Sequence, residues 1–149
     1  TFINQCARYF KNPGISVVKD AAAAMKSGPV NAMHDPTEGG LSAALHELSI
    51  ACGRSVIVEK ELIEVLPESR ALCGYFGIDP LGAISSGALL ISAPLSEAKK
   101  ITDGLLAASI QSSVIGRVKT KGSGVKITIA GKTKKLKHFE RDELTRILI

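Results

Sequence analysis

Several features that mark common classes of protein are missing from this 149-residue sequence. Its three cysteines, Cys6, Cys52 and Cys73, are widely separated and include no CxxC pair. This spacing argues against a zinc site or a disulfide framework and favours a reducing, cytoplasmic setting. No apolar run reaches the roughly 18 residues of a membrane-spanning helix, and the N-terminus has no signal-peptide pattern. We therefore expect no membrane segment, and we expect Cys52 and Cys73 to be small core residues on helices.

Phenylalanine, tyrosine and tryptophan are also missing from the most basic stretch of the chain, residues 131–138. Residues 117–149 hold ten Lys or Arg against three Asp or Glu, while the whole chain has a net charge of +5. The densest stretch is GKTKKLKH at 131–138, which contains Lys132, Lys134, Lys135 and Lys137. It fits either a nucleic-acid surface or an edge strand that its lysines protect from pairing with another sheet. Because no aromatic side chains interleave as stacking platforms, the edge strand is favoured and nucleic acid is not an expected partner.

The overall composition is that of an ordinary globular domain. Hydrophobic residues make up 45% of the chain and charged residues 22%, which argues against disorder. The length suits one domain with a proper core, and no linker or internal repeat divides it, so we predict a single domain over 1–149. Because the sequence begins with Thr1 and not Met, we also expect further residues upstream.

Helical and strand patterns alternate along the chain. Helices are predicted at 15–26, 39–52, 67–74, 96–108 and 140–148, and strands at 30–33, 55–60, 88–93, 112–119, 124–130 and 131–139. The last two strands are predicted to form a hairpin that turns at Ala130 and Gly131. The clearest helix is 39–52, where Leu41, Ala44, Leu45 and Leu48 recur at three- and four-residue spacing. This order predicts an α/β (α+β) fold in which helices pack on a mixed β-sheet.

The most informative segment is the loop DPTEGG at 35–40, between a predicted strand and the clearest helix. Pro36 keeps Asp35 out of the helical conformation, and Thr37 is the predicted N-cap. The first turn of a helix leaves N–H groups unpaired and carries a partial positive charge, which suits a phosphate. Gly39 and Gly40 would let a ligand approach those groups closely, and Asp35 could orient a metal-bound or protonated group nearby.

A second interpretation of this loop needs no ligand. The helix would simply be well capped, and the glycines would permit tight packing against a neighbouring strand. The segment is neither GxGxxG nor GxxxxGK[ST], and no lysine follows the glycines. The neighbouring His34 is likewise either a general base or a loop histidine with a local hydrogen bond, and the second is favoured. The residues alone leave both interpretations of the loop open.

Three segments of the sequence resemble one protein superfamily. MHDPTEGGLSAALHELSIACG at 33–53 is similar to the Asp-Pro-Thr-x-Gly-Gly-Leu segment in the C-terminal domain of the AIR synthase-related superfamily (PurM/HypE/ThiL/SelD). ESRALCGYFGIDPLGAISSGALLISAP at 68–94 and SVIGRV at 113–118 most resemble the HypE-like members. The resemblance extends from about residue 15 to residue 118.

The resemblance implies a PurM C-terminal-domain-like fold whose N-terminal ATP-binding domain lies upstream of Thr1. That domain would hold most of the ATP and Mg²⁺ contacts and form a homodimer in the full-length protein. In this chain the resemblance implies contacts to a small phosphorylated ligand in the interdomain cleft from two loops, with Asp35, Thr37, Gly39 and Gly40 in the first and Ser85, Ser86 and Gly87 in the second. It assigns no catalytic residue and no metal ligand here.

Two functions follow from this resemblance as expectations. The first is a domain that contributes a Gly-rich, phosphate-facing loop to an ATP-dependent enzyme and has no turnover in isolation. The second is a non-catalytic interaction module of a maturation or metabolic complex.

The end of the chain departs from the HypE-like pattern. HypE-like proteins end in Pro-Arg-Ile-Cys, and the cysteine carries a carbamoyl group that is converted to a cyano group. This chain ends in LTRILI, with Leu148 at the place of the cysteine. Because leucine has no thiol, this departure argues against cyano-group formation on the chain's own tail, and we interpret the chain as a HypE-like paralogue with an unidentified substrate.

Overall fold

A computed structural model describes residues 1–147. The α-helices in this range are α1 (Phe2–Arg8), α2 (Val18–Ser27), α3 (Gly40–Cys52), α4 (Pro67–Phe76) and α5 (Ala98–Ala107). The strands are β1 (Ala32–His34), β2 (Val56–Glu59), β3 (Leu90–Ser92), β4 (Gly116–Val118), β5 (Val125–Ile129) and β6 (Lys132–Lys135). Short 3₁₀ helices cover Lys60–Leu62, Leu95–Glu97 and Glu143–Arg146. Within the described range, the helices lack the combination of length and apolar character that crossing a membrane requires.

The strands form two sheets, which confirms the α+β fold predicted from the sequence. The larger sheet has the order β4-β2-β5-β6 and is mixed, because β2 and β5 are parallel while the other neighbouring strands are antiparallel. Strands β1 and β3 form a separate antiparallel pair, with Ala32 opposite Ser92 and His34 opposite Leu90. The two loops that the sequence singled out adjoin this pair, because the first follows β1 and the second precedes β3.

The main core lies between α3 and one face of the larger sheet. Val56 and Val58 on β2 and Val125 and Ile127 on β5 point to this face, and they pack with Leu45 from α3. All five side chains are at most 3% exposed. Full burial of such a side chain contributes roughly 1.5–3 kcal/mol, so this contact fixes α3, and with it the start of α3, against the sheet.

A second core joins α2 to α5. Ala24, Ile101 and Leu105 are buried in it. A Cβ atom on Gly104 would lie 1.8 Å from the Ser27 hydroxyl oxygen, so the two helices can approach this closely only because position 104 is glycine. The β1–β3 pair packs against this core through Met33 and Ile91.

The β5–β6 hairpin confirms the turn predicted at Ala130 and Gly131. Ile129 is opposite Lys132, which leaves a two-residue turn, and both turn residues have positive φ angles of 47° and 77°. This combination is typical of a type I′ hairpin. All four residues of β6 are exposed at the edge of the sheet, which is the position that the edge-strand interpretation predicted.

The predictions for the C-terminal helix and for Cys52 are wrong. The chain forms only the 3₁₀ helix Glu143–Arg146 where an α-helix was predicted at 140–148, because the side chains at its start turn back onto two earlier loops. Leu148, which stands at the place of the HypE-like cysteine, lies outside the described residues. Cys73 is buried as predicted, but Cys52 is exposed at the end of α3 and is not a core residue.

Candidate functional site

The two glycines before α3 have a backbone that other residues rarely adopt. Gly39 and Gly40 have φ angles of +73° and +61°. Both are buried, and a Cβ atom on Gly40 would lie 2.3 Å from the carbonyl oxygen of Ala83. Gly39 is the N-cap and α3 begins at Gly40, so the prediction that Thr37 is the N-cap is wrong. Two successive left-handed residues place the cap two positions later than the sequence pattern indicated.

Three main-chain N–H groups at the start of α3, those of Gly39, Gly40 and Ser42, donate to groups outside the helix. Gly39 N donates to the Asp142 carboxylate at 2.9 Å, and Gly40 N donates to a carbonyl of the preceding loop at 3.0 Å. Ser42 N donates to the Leu81 carbonyl at 2.9 Å. An anion is favourable at a helix N-terminus, and here the Asp142 side chain provides it. This arrangement agrees with the interpretation of tight packing at the glycines.

Two consecutive carboxylates near the C-terminus, Asp142 and Glu143, accept main-chain hydrogen bonds from the loop 35–40 and from the loop 79–87. Asp142 also accepts from Leu144 N at 2.9 Å through its other oxygen, which caps the 3₁₀ helix that follows. Glu143 accepts from Asp79 N at 3.0 Å and from the Arg146 guanidinium at 2.9 Å. The Asp79 N–H, with a smaller effect from Arg146, lowers the pKa of Glu143 below its ordinary value.

Sequence reasoning missed both carboxylates, since they fell within a predicted surface helix. No local signal in the sequence indicates contacts to residues more than sixty positions away.

The second loop, residues 79–87, is held by the same C-terminal segment. Gly82 accepts from Glu143 N at 3.0 Å through its carbonyl. A Cβ atom on Gly82 would lie 2.7 Å from the Phe139 ring, so the ring packs directly on the main chain of the loop. The Asp79 carboxylate accepts from Leu81 N at 2.9 Å, which tightens the turn.

The two loops meet through Thr37 and Ser85. Ser85 N donates to the Thr37 carbonyl at 3.4 Å, and the Ser85 hydroxyl donates to the Ala83 carbonyl at 3.1 Å. The predicted site residues therefore separate into two groups. Asp35, Thr37, Ser86 and Gly87 are exposed and Ser85 is half-buried, whereas Gly39 and Gly40 lie underneath.

The histidines near this region have different surroundings. His34 contacts the Glu47 carboxylate on α3, which agrees with the hydrogen-bonded interpretation favoured for it. His46 on α3 packs edge-to-face against His138, with ring centroids 4.9 Å apart. The buried Nε2 atom of His46 has no hydrogen-bond partner among the described residues. Burial, and then the charge of His138, lower the pKa of His46.

The described residues fit part of a phosphate site and do not fit a complete metal site. Hydroxyl groups from both loops reach the surface, and Asp35 adds one exposed carboxylate. Residues 1–147 contain no cluster of three or more His, Cys, Asp or Glu side chains that could hold a metal ion. A cleft of about 550 Å³ lies elsewhere and is lined by residues that include Glu61, Glu64 and Asp103.

The family described as AIR synthase related protein, C-terminal domain, matches residues 5–129. The chain belongs to this family. Both loops lie inside the matched range, so the resemblance seen in their sequence motifs is confirmed. The C-terminal segment that holds the loops from below, which includes Asp142 and Glu143, lies beyond it.

Known relatives place the chain among HypE-like members of the family. Carbamoyl dehydratase HypE from Cupriavidus necator is 37% identical over 79 residues, which are 53% of this chain and 21% of that protein. The crystal structure of HypE from Escherichia coli superposes with a TM-score of 0.77 at 25% identity, covering 88% of this chain and 42% of that one. A HypE structure in complex with ATP has the same fold, with a TM-score of 0.70 at 24% identity over 79% of this chain and 38% of that one. The chain thus spans less than half the length of each of these relatives.

Proposed function

We propose that this chain is the C-terminal domain of a HypE-like, ATP-dependent protein and that its exposed loops form one wall of an interdomain site. The observation that carries the proposal is the hydrogen bond from Ser85 N to the Thr37 carbonyl, which joins the two loops. The exposed residues Asp35, Thr37 and Ser86 therefore lie on two adjacent loops. Both loops belong to the part of the chain that the family model matches.

The chemistry of these loops suits the phosphate end of a ligand. The hydroxyl groups of Thr37 and Ser86 can donate hydrogen bonds to phosphate oxygens, and Gly87 leaves space beside them. The Ser85 hydroxyl already donates to the Ala83 carbonyl, so Ser85 contributes by positioning the loop. The loops carry no Lys or Arg, so the ligand's charge would be balanced by Mg²⁺ and by the upstream domain. Asp35 fits as a single Mg²⁺ ligand and no more. Gly39 and Gly40 contribute by shaping the loop, because their N–H groups already donate within the protein.

The missing part of the site would come from an upstream ATP-binding domain. The relatives are more than twice as long as this chain, and one HypE has been solved with ATP. In this proposal, residues 1–149 are a single domain, and the upstream domain holds ATP and forms a homodimer. ATP would activate a carbonyl-type oxygen of the substrate by phosphorylation or transfer its phosphoryl group. The cytoplasmic setting predicted from the cysteines is part of the same proposal.

Nuclear magnetic resonance of the ¹⁵N-labelled chain tests this proposal. Titration with Mg²⁺-ATP and with inorganic phosphate should shift the amide signals of Thr37, Ser85, Ser86 and Gly87. Ser86→Ala should weaken the binding, whereas Ser112→Ala, an exposed serine in the distant cleft, should not. The proposal is wrong if both ligands leave these four signals unchanged, or if the two serine variants behave alike. The same sample should show no ATP hydrolysis.

A second candidate function is an interaction module that needs no nucleotide. It is favoured by the exposed apolar side chains near the start of the chain: Ile3, Phe10, Val18 and Met25 are each more than two-thirds exposed. Where exposed apolar side chains form a contiguous patch, they mark a surface that binds another protein. Sedimentation velocity with and without ATP distinguishes the two functions, since association that ignores ATP and is lost in Phe10→Ser supports the module.

A further inference from the structure

We propose that Asp142 and Glu143 are positioning residues, which set the two loops of the candidate site at a fixed distance from each other. The inference rests on the proposed function for its importance to ligand binding. The geometry itself is independent of that function. The two carboxylates are consecutive in the sequence, yet each one accepts a main-chain N–H from a different loop.

Asp142 holds the first loop. Its side chain is buried, with the residue only 9% exposed, and its two oxygens accept from Gly39 N and from Leu144 N. The first bond fixes the main chain directly after Thr37 and Glu38. The second bond, together with the Thr145 hydroxyl on the Asp142 carbonyl at 2.7 Å, fixes the C-terminal turn itself. A buried charged acceptor with two N–H donors is held firmly in one orientation.

Glu143 holds the second loop. The residue is 6% exposed, its carboxylate accepts from Asp79 N, and its own N–H donates to the Gly82 carbonyl at 3.0 Å. The loop is therefore attached to Glu143 at both ends of the turn 79–82. Arg146 donates to the same carboxylate oxygen from the outer side and balances its charge.

The C-terminal turn is the stronger of the two links between the loops. The direct bond between Ser85 and Thr37 is 3.4 Å long and lies at the surface, where water competes for it. The bonds through Asp142 and Glu143 are 2.9–3.0 Å, involve carboxylates and are shielded. One loop can shift relative to the other only if a bond to this turn breaks. Asp142 and Glu143 thus set the distance between Thr37 and Ser85, although both carboxylates lie beyond residues 5–129, which the family model matches.

Amide hydrogen exchange on the 149-residue chain tests the inference. Asp142→Ala should speed exchange at the Gly39 amide at least tenfold, and Glu143→Ala should do the same at Asp79. Both variants should also shift the amide signals of Thr37 and Ser85. Glu140→Ala removes a neighbouring, exposed carboxylate and should change none of these. Exchange in β2 and β5 reports global stability and should change far less than exchange in the loops.

Conservative variants keep the test decisive where alanine prevents folding. Asp142→Asn retains one acceptor oxygen, so it should speed exchange at Gly39 less than Asp142→Ala and still shift the Thr37 and Ser85 signals. The inference is wrong if the Gly39 amide stays fully protected in both Asp142 variants, or if amide exchange rises equally in β2 and β5. Titration with Mg²⁺-ATP separates the two proposals. If Asp142→Asn binds Mg²⁺-ATP more weakly than Glu140→Gln does, the result supports both the proposed function and the positioning role. If the unmodified chain binds no ATP but the Asp142 variants still shift the Thr37 and Ser85 amide signals, the result supports the positioning role alone.

Discussion

The Asp142 carboxylate accepts a hydrogen bond from the main-chain N–H of Gly39, 103 residues earlier in the sequence, at 2.9 Å. The start of α3 is therefore capped by the C-terminal segment as well as by its own loop, whose Thr37 carbonyl accepts from Gly40 N. This contact occupies the Gly39 N–H, so that group is not available to a ligand. The N–H groups of Gly39 and Gly40 donate within the protein, and the exposed side chains of the loop face solvent. A ligand in the proposed cleft would contact the exposed hydroxyl groups of Thr37 and Ser86.

Gly40→Ala should destabilise the protein by about 2 kcal/mol or more, because a left-handed residue with a Cβ is strained by roughly 1–2 kcal/mol and the Ala83 carbonyl blocks the space as well. Gly53→Ala is the matched control. It has the same φ of +61° at the other end of α3, but no atom lies within 4 Å of the added Cβ. Urea unfolding should show the smaller loss for Gly53→Ala. Equal losses would mean that strain alone, without close packing, explains the glycine at position 40.

Local patterns in the sequence predicted most of the fold. The apolar stripe of Leu41, Leu45 and Leu48 predicted α3 to within one residue, because side-chain spacing reports directly on the buried face of a helix. The turn at Ala130 and Gly131 was predicted for a similar reason, since two residues between strands define a hairpin. Predictions of this kind depend only on neighbours along the chain.

The candidate site could be predicted only in part. The motif around Gly39 and Gly40 showed where the loop lies, yet it could not show where their N–H groups point, because the acceptor comes from Asp142. Charged residues in the sequence of the tail looked like a surface helix, since nothing local distinguishes a buried carboxylate from an exposed one. Contacts of this kind depend on how distant elements pack, and sequence spacing carries no information about them.

Lys135→Glu should stabilise the protein by about 0.2–1 kcal/mol. Lys126 and Lys135 are directly opposite each other on β5 and β6, and like charges in this arrangement repel. Lys134→Glu is the control, because Lys134 lies opposite the apolar Ile127. The difference between the two variants should shrink in high salt, which screens exposed charges. An equal gain in both variants would indicate an effect of net charge and not of the cross-strand pair.

Glu143 should make the protein less stable in acid. Its pKa in the folded state is lowered from the ordinary 4.5, mainly by the Asp79 N–H. A lowered pKa means that the ionised carboxylate stabilises the folded state above the ordinary pKa, and that this contribution is lost as the pH falls through the folded-state pKa. The melting temperature of the unmodified chain should therefore fall more steeply below about pH 4.5 than the melting temperature of Glu143→Gln. Parallel curves would show that the bond to Asp79 does not depend on the charge.

His46 should also make the protein less stable as the pH falls, over a higher pH range than Glu143. Its pKa is lowered from 6.5 by burial and then by His138, while the main chain of Leu136 acts in the opposite direction. The unfolded chain therefore binds a proton at this residue more readily than the folded chain does, so stability should fall as the pH drops through about 6.5 towards the folded-state value. His46→Phe keeps a ring against His138 and removes the titrating group, so its melting temperature should change little between about pH 7.5 and pH 5.5. His34→Phe is the control at a histidine paired with Glu47, and it should keep the loss of stability that His46 causes. If His46→Phe loses as much stability as the unmodified chain over this range, the buried Nε2 atom is not the group that titrates.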